Sequence, residues 1–175
     1  MEKKDSRYEC ATVHSHNDRL KLLVVAVGTR IPAWVDAGFV EYARRMPRDA
    51  RLELAEVKPE NRGAGRTVGR LLEAEEKRIL AAVPAGSLRI ALDERGALLA
   101  TAELASRIER WRHTGSDLAF IIGGPDGLAE RLKRGAAFKW SLTPLTLPHG
   151  LARVVLAEQL YRAVSILHNH PYHRE

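Results

Sequence analysis

The chain has 175 residues, of which 45% are hydrophobic and 29% charged, a composition typical of one soluble globular domain. Its 28 lysines and arginines exceed its 22 acidic residues by six, which favours an anionic partner such as RNA, although a basic protein without a nucleic-acid role is the alternative. A single cysteine excludes an internal disulfide and suits a reducing compartment. No apolar run reaches the ~18 residues of a membrane span, so we expect a cytoplasmic protein with no membrane contact.

The first 19 residues are polar, mixed in charge and without hydrophobic periodicity. Such a stretch buries too little apolar surface to fold by itself. We therefore expect a disordered extension over residues 1–19, followed by a single domain over residues 20–175.

Short apolar runs and amphipathic stretches alternate along the rest of the chain. Strands are predicted at residues 21–27, 52–57, 88–92 and 118–122. Pro32 opens the first predicted helix, residues 68–83 form the second, and Thr101 caps the third. This alternation predicts an α/β protein with a mainly parallel sheet and helices on both faces.

A last helix is predicted from Leu151 to about Leu167, and it is apolar on much of its circumference. A helix of this kind is expected to bury two faces, one on the sheet and one on a partner. A symmetric homodimer is the simplest arrangement that satisfies both.

Three loops that follow strands carry the residues of chemical interest. They are Leu92 and the residues after it, the glycine-rich turn I-I-G-G-P-D-G that includes Gly123, and T-P-L-T-L-P at residues 143–148. The carboxyl ends of parallel strands share one sheet edge, so a single ligand could contact all three loops. The glycine spacing matches neither a dinucleotide fingerprint nor a P-loop, and a tight turn without a ligand is the alternative.

The third loop is too apolar to face water freely, and it offers backbone carbonyls and amides. It would suit an adenine and a sulfonium better than a triphosphate. Three histidines near the end, His168, His170 and His173, lack the Cys or acidic ligands of a zinc site, and we predict no metal. No Ser or Cys stands in a nucleophile elbow.

Taken together, five motifs resemble one family: V-A-V-G-T, I-I-G-G-P-D-G, S-L-T-P-L-T-L-P-H, A-E-Q-L-Y-R-A and the terminal N-H-P-Y-H-R-E. The combination resembles the RlmH (YbeA-type) family of ribosomal RNA large-subunit methyltransferases, within the SPOUT superfamily. The likeness runs from about Lys21 to Glu175, so residues 20–175 would form one SPOUT methyltransferase domain.

The resemblance implies a C-terminal trefoil knot, a homodimer, and S-adenosylmethionine bound in a bent form within the knot. It also implies methylation at N3 of a pseudouridine in a 23S rRNA stem-loop of the ribosome. The cofactor contacts that it implies are Leu92, Gly123, Leu142, Thr143, Pro144, Leu145, Thr146 and Leu147.

The implied reaction also needs a group that removes the N3 proton. In the tail, His173 is the candidate base, Tyr172 a stacking or proton contact, and Arg174 a partner for phosphate or an enolate-like oxygen. His149 and Arg153 are candidates for RNA contact or for bracing the tail. The alternative for all of them is packing of the tail across the dimer.

Two other functions stay open on the sequence alone. One is a SPOUT methyltransferase that acts on another RNA such as tRNA. The other is a catalytically silent RNA-binding protein that has kept the fold. An NAD-binding domain is a distant possibility, because the required glycine spacing and ribose-binding acid are not evident.

Overall fold

A computed structural model describes residues 19–63 and 65–173, without the side chain of His173. The strands are β1 (Leu20–Val27), β2 (Ala50–Val57), β3 (Leu88–Leu98), β4 (Leu118–Ile122) and β5 (Phe138–Ser141). The helices are α1 (Ala33–Arg45), α2 (Val68–Ala82), α3 (Thr101–Arg112), α4 (Glu130–Arg134) and α5 (His149–Leu167), and a short 3-10 helix spans Pro171–His173. The expected disordered extension lies outside the described residues except for Arg19.

The strands form one sheet in the order β2-β1-β4-β3-β5, and every neighbouring pair runs parallel. This confirms the predicted parallel α/β architecture. Because all five strands point the same way, their carboxyl ends lie along one edge of the sheet. That edge carries the loops that the sequence analysis singled out.

The two faces of the sheet are both covered by helices. Along β1, Leu22 and Val24 point into a core with α1, α3 and α5, while Leu23 and Val25 point into a second core with α2 and α4. The alternation follows from the two-residue period of a strand. The expectation of helices on both faces is therefore confirmed.

Helix α5 lies between α1 and α3 over the sheet. Leu156 and Leu160 are fully buried, and a Cβ on Gly38 of α1 would lie 3.1 Å from Cγ1 of Val154. Most of the apolar circumference of α5 is thus buried within one chain, so its composition alone does not require a partner. The homodimer stays a prediction.

Two local predictions were wrong. Thr101 does not cap α3; Ala100 precedes the helix and its N–H donates to Glu103 Oε2 at 2.8 Å, while the Thr101 hydroxyl bonds Gln159 Oε1 at 2.9 Å. Strand β3 also continues past its predicted end.

The extra length of β3 contains a bulge where a turn was predicted. Leu92 and Ala97 both pair with Trp140 of β5, and the residues between them form the excursion. A Cβ on Gly96 would lie 2.5 Å from the backbone carbon of Trp140, so a glycine is required where the bulge crosses β5.

The trefoil knot implied by the resemblance stays a prediction. In the described part of the chain, no helix is long and apolar enough to cross a membrane.

Candidate functional site

A cleft lies at the carboxyl edge of the sheet, between the ends of β3, β4 and β5. It is lined by Leu92, Asp93, Glu94, Ile122, Gly123, Gly124, Gly127, Trp140, Ser141, Leu142, Thr143, Leu145, Thr146, Leu147, His149 and Ala152. The structure thus brings together the three strand-end loops and adds the first turn of α5.

The eight implied cofactor residues are not all part of this cleft. Seven of them line it: Leu92, Gly123, Leu142, Thr143, Leu145, Thr146 and Leu147. Pro144 belongs to the same loop, but it is exposed and does not line the cleft. The geometry therefore offers Pro144 as a residue that shapes the loop rather than one that contacts a ligand.

The glycine-rich turn after β4 folds tightly on itself. The Gly127 N–H donates to Gly124 O at 2.9 Å, and Gly127 has a φ of +80°, which a residue with a Cβ rarely adopts. A Cβ on Gly123 would lie only 2.4 Å from Gly127 O. The turn itself requires these glycines, and its lack of side chains leaves one wall of the cleft as bare backbone.

The opposite wall is the loop at residues 142–147, which local hydrogen bonds shape. The Ser141 hydroxyl donates to Thr143 O at 2.9 Å, and the Leu145 N–H donates to Thr143 Oγ1 at 3.1 Å. Leu142 and Leu147 are half-buried at the cleft. Apolar side chains facing a bare backbone turn suit a flat ring with polar edges.

The charged groups of the cleft are acidic. Asp93 and Glu94 line it, and none of the described lining residues is a lysine or arginine. The cleft therefore complements a cation and disfavours a triphosphate.

Asp93 is held in place by Lys133 of α4. The distance from Lys133 Nζ to Asp93 Oδ2 is 2.9 Å, and Asp93 Oδ1 accepts the Arg95 N–H at 2.8 Å. Burial alone would raise the pKa of Asp93, but the hydrogen bonds from Lys133 and from the Arg95 N–H outweigh it and lower that pKa. Asp93 is thus an oriented carboxylate at the cleft. The sequence analysis gave it no role, since a lysine forty positions away carries no local signal.

His149 is the first residue of α5 and is half-buried at the rim of the cleft. Burial lowers its pKa, and the positive charge of Arg153 lowers that pKa further. The imidazole is therefore neutral at neutral pH, with one nitrogen able to accept a proton or hydrogen bond.

Arg153 lies one turn further along α5 and is 1% exposed. Its Nη1 donates to Glu56 Oε1 at 2.7 Å, and its Nη2 donates to Gly28 O at 2.7 Å. These contacts tie α5 to the ends of β1 and β2. In one chain Arg153 braces the sheet edge, and its predicted role in RNA contact or tail support stays a prediction.

The tail packs against the far end of α5. The Tyr172 ring lies 4.7 Å from the Tyr161 ring, and the Arg162 guanidinium lies 4.9 Å from the Tyr172 centroid. Tyr161 is twelve residues from His149, which is roughly 18 Å along a helix. Tyr172 is therefore remote from the cleft of its own chain. The side chain of His173 and the whole of Arg174, the other two predicted catalytic residues, lie outside the described residues.

The described residues contain no cluster of three or more His, Cys, Asp or Glu side chains that could hold a metal ion.

Comparison with known proteins supplies the family context of this cleft. The family model described as "Predicted SPOUT methyltransferase" matches residues 20–173. Two curated relatives are both named "Ribosomal RNA large subunit methyltransferase H". The Bordetella petrii protein is 55% identical over 155 residues, which are 89% of this chain and 99% of the relative. The Neisseria gonorrhoeae protein is 54% identical over 156 residues, which are 89% of this chain and 100% of the relative.

Among solved structures, the crystal structure of a "Probable Methyltransferase" from Bordetella pertussis Tohama I superimposes with a TM-score of 0.55 at 16% identity. The match covers 85% of this chain and 99% of that one. At this identity the likeness bears on the fold.

Proposed function

The chain belongs to the SPOUT methyltransferase family, whose methyl donor is S-adenosylmethionine, and we propose that it methylates N3 of a pseudouridine in a 23S rRNA stem-loop of the ribosome. The observation that carries the proposal is the strand-end cleft, with apolar and bare-backbone walls and the acidic residues Asp93 and Glu94. The site would act in the cytoplasm, where ribosomes are found.

The residues of the cleft fit the cofactor, which supplies a methyl group on a cationic sulfur when it is bound. Leu142 and Leu147 provide apolar surface for a purine, and the Gly123 turn lets a ligand approach the backbone closely. The Asp93 carboxylate, held by Lys133 at the cleft, could accept hydrogen bonds from the hydroxyl or ammonium groups of the cofactor. The protein's contribution is to align the donor with the acceptor nitrogen and to exclude water.

The RNA substrate is supported by the names of the two relatives and by charge. Both relatives are named for methylation of large-subunit ribosomal RNA, and the net charge of this chain is +6. Excess positive charge draws the phosphate backbone to a protein irrespective of base sequence. The named N3 position and the pseudouridine are part of the proposal.

A homodimer is supported by apolar surface around the cleft. Trp34, Leu145 and Leu151 are 57%, 74% and 37% exposed, and all three lie at the carboxyl edge of the sheet. Trp34 and Leu151 also lie near each other. Val35, which follows Trp34, is in contact with Gly150, which precedes Leu151, since a Cβ on Gly150 would lie 3.1 Å from Val35 Cγ2. A second copy that covers these side chains would remove them from water. It could also bring a tail to the cleft, from which Tyr172 of the same chain is remote.

The test is transfer of labelled methyl from S-adenosylmethionine to ribosomes, separated subunits and bulk tRNA from cells that lack the modification. Label in 23S rRNA that maps to N3 of a pseudouridine is the expected result. Label in tRNA would retain the cofactor and overturn the substrate. Binding of both cofactor and RNA without transfer would indicate a silent RNA-binding protein.

A further inference from the structure

A second pocket adjoins the cleft on the side of β1 and β2. It is lined by Val27, Gly28, Pro59, Glu60, Asn61, Arg62, Pro125 and His149. Among the described residues, His149 lines both this pocket and the cleft. None of the residues that the resemblance assigns to the cofactor lines the second pocket, so the pocket is free for another part of the reaction.

We propose that the second pocket, defined by Pro59, Asn61, Pro125 and His149, receives the acceptor base as an everted uracil-type ring, and that His149 takes its N3 proton. The inference rests on the proposed function and names the part of the site that binds substrate. A base stacked in a stem-loop cannot enter a pocket, so an enzyme that methylates its ring must first take the base out of the stack.

The second pocket lies directly beside the cleft. Methyl transfer requires the donor carbon and the acceptor nitrogen to meet in line at close range. The pockets for donor and acceptor must therefore adjoin. The second pocket meets the cleft at His149, on the first turn of α5, which Arg153 ties firmly to the ends of β1 and β2.

The second pocket is lined by both apolar and polar groups that suit a uracil-type ring. Pro59 and Pro125 provide apolar surfaces against which a flat ring can lie. The Asn61 amide offers a donor and an acceptor, which suit the carbonyl–imide–carbonyl edge of a uracil-type base. Arg62 is half-exposed at the pocket and pairs with Asp126 at 2.6 Å, so a guanidinium stands where a phosphate would approach.

The pocket is also preorganised. Glu60 is bound by the guanidinium groups of both Arg66 and Arg78. The Glu60 N–H donates to Glu75 Oε1 at 2.9 Å, which fixes the loop on α2. A loop held by these ion pairs keeps Asn61 in place before substrate arrives, and this lowers the entropic cost of binding.

His149 is the proton acceptor in the proposed transfer. The base loses its N3 proton to the unprotonated ring nitrogen of His149, and the nitrogen electron pair forms the bond to the methyl carbon. The bond between that carbon and the sulfonium sulfur breaks, its electron pair stays on sulfur, and the imidazolium then releases its proton to water. The charged groups around His149 are Arg153, Glu60 and Arg62 on one side and Asp93 and Glu94 on the other.

The first experiment compares two tryptophan substitutions in one loop. Asn61→Trp fills the second pocket, while Gly63→Trp adds the same side chain where no atom lies within 4 Å and outside both pockets. For Asn61→Trp we expect S-adenosylmethionine affinity, measured by calorimetry, within about twofold of wild type, and a loss of methyl transfer of at least about 100-fold. Gly63→Trp is expected to keep both the cofactor affinity and the methyl-transfer rate of the wild type.

Two results would overturn the pocket assignment. One is an Asn61→Trp protein that transfers methyl at nearly the wild-type rate. The other is loss of cofactor binding in that variant, which would make the second pocket part of the cofactor site. Asn61→Leu keeps the size of the side chain but not the amide, and it serves as a second variant in case Asn61→Trp does not fold. It is expected to lower methyl transfer with cofactor affinity unchanged.

The second experiment addresses His149 by its pH profile at saturating cofactor and ribosomes. The wild-type rate is expected to rise with pH through the lowered pKa of His149 and to level off above it. The pKa values of the neighbouring carboxyls Glu60 and Asp93 are lowered from the ordinary carboxyl range, further from that of an imidazole, so we assign this limb to the histidine. In His149→Gln the rise of the rate with pH is expected to disappear, and the rate is expected to fall by about 10²–10⁴-fold. A wild-type profile in that variant would exclude the proton role.

Failure of the inference is distinct from failure of the proposed function. A wild-type protein that does not label 23S rRNA refutes the proposed function. A wild-type protein that labels 23S rRNA while Asn61→Trp and His149→Gln label it equally well refutes only the second pocket.

Discussion

Arg153 and Glu56 are 97 positions apart in the chain, and their side chains meet at 2.7 Å between Nη1 and Oε1. The arginine is 1% exposed and the carboxylate 33% exposed. Arg153 also donates to the carbonyls of Val27 and Gly28, so one side chain joins α5 to the ends of two strands. The cleft and the second pocket both lie beside this junction.

Replacing Arg153 is therefore expected to destabilise the fold. Arg153→Ala should lower the free energy of unfolding by about 3–5 kcal/mol, the usual cost of breaking a buried pair. Arg153→Lys should recover part of the loss, since its single ammonium nitrogen does not span the acceptors that Nη1 and Nη2 of the guanidinium reach separately. Denaturant titration measures both.

The matched control is Arg51→Ala, since Arg51 is 60% exposed and pairs with Glu53 at 2.6 Å. Surface pairs of this kind contribute little. An Arg153→Ala protein no less stable than Arg51→Ala would show that the junction does not hold the sheet edge together.

The cofactor site can be tested without disturbing the glycine turn. Tryptophan at Gly123 would be an unsuitable way to block the cleft, because even a Cβ there would lie 2.4 Å from Gly127 O. Thr146 is exposed and lines the cleft. We expect Thr146→Trp to reduce S-adenosylmethionine affinity at least tenfold with an unchanged melting temperature.

Pro144→Ala serves as the comparison within the same loop. Pro144 does not line the cleft, so this variant should bind the cofactor within about twofold of wild type and lose at most about 1 kcal/mol of stability. Equal affinity of wild type and Thr146→Trp would place the cofactor elsewhere.

The sheet and the cleft could be predicted from local sequence patterns. The apolar run Leu118–Ile122 followed by a glycine pair predicts a buried strand and a turn at its carboxyl end, and the structure has that strand with the same bounds. Parallel order then places the loops at one edge. Seven of the eight cofactor residues implied by the resemblance line the cleft at that edge.

The remaining features depend on contacts between distant side chains. Neither the burial of Arg153 against Glu56 nor the pairing of Lys133 with Asp93 leaves a periodic signal in the sequence. The second pocket joins loops after β1, β2 and β4, and its shape appears only when those strands are side by side. The bulge in β3 was missed for the same reason, since it depends on pairing with Trp140.

The position of Tyr172, remote from the cleft of its own chain, predicts that the tail acts across the proposed homodimer. Tyr172→Ala removes the ring contact with Tyr161, worth about 0.5–1.5 kcal/mol, and should lower methyl transfer with cofactor affinity unchanged. Tyr172→Phe keeps the ring and tests the hydroxyl alone. Cofactor calorimetry and ribosome methylation measure both variants.

Mixing Tyr172→Ala with Thr146→Trp distinguishes the two possible arrangements. If the tail of one chain completes the cleft of the other, mixed dimers contain one intact site. Transfer should then recover to roughly a quarter of the wild-type rate, because half of the dimers are mixed and each has one complete site of two. No recovery on mixing would mean that the tail serves its own chain or none.

The pairing of Asp93 with Lys133 predicts a pH-dependent contribution to stability. The pKa of Asp93 is lowered, so its contribution is present above the ordinary carboxyl pKa and is lost as pH falls through the folded value. Glu130 first and Asp93 second raise the pKa of Lys133, so its contribution is lost only as pH rises past the ordinary lysine value. The pair therefore stabilises the fold between roughly pH 4 and pH 10.

Lys133→Met tests this relationship. Asp93 and Lys133 are 11% and 18% exposed, and we expect a loss of about 1–2 kcal/mol at pH 7 that shrinks as the pH falls through the lowered pKa of Asp93 and its carboxylate becomes protonated. Arg134→Met, the next residue and exposed, is the control and should show no such dependence. Cofactor affinity should also fall in Lys133→Met alone, because Asp93 loses the partner that orients it at the cleft. A stability loss that stays the same as the pH falls through the titration of Asp93 would show that Lys133 acts through packing of its aliphatic stem rather than through its charge.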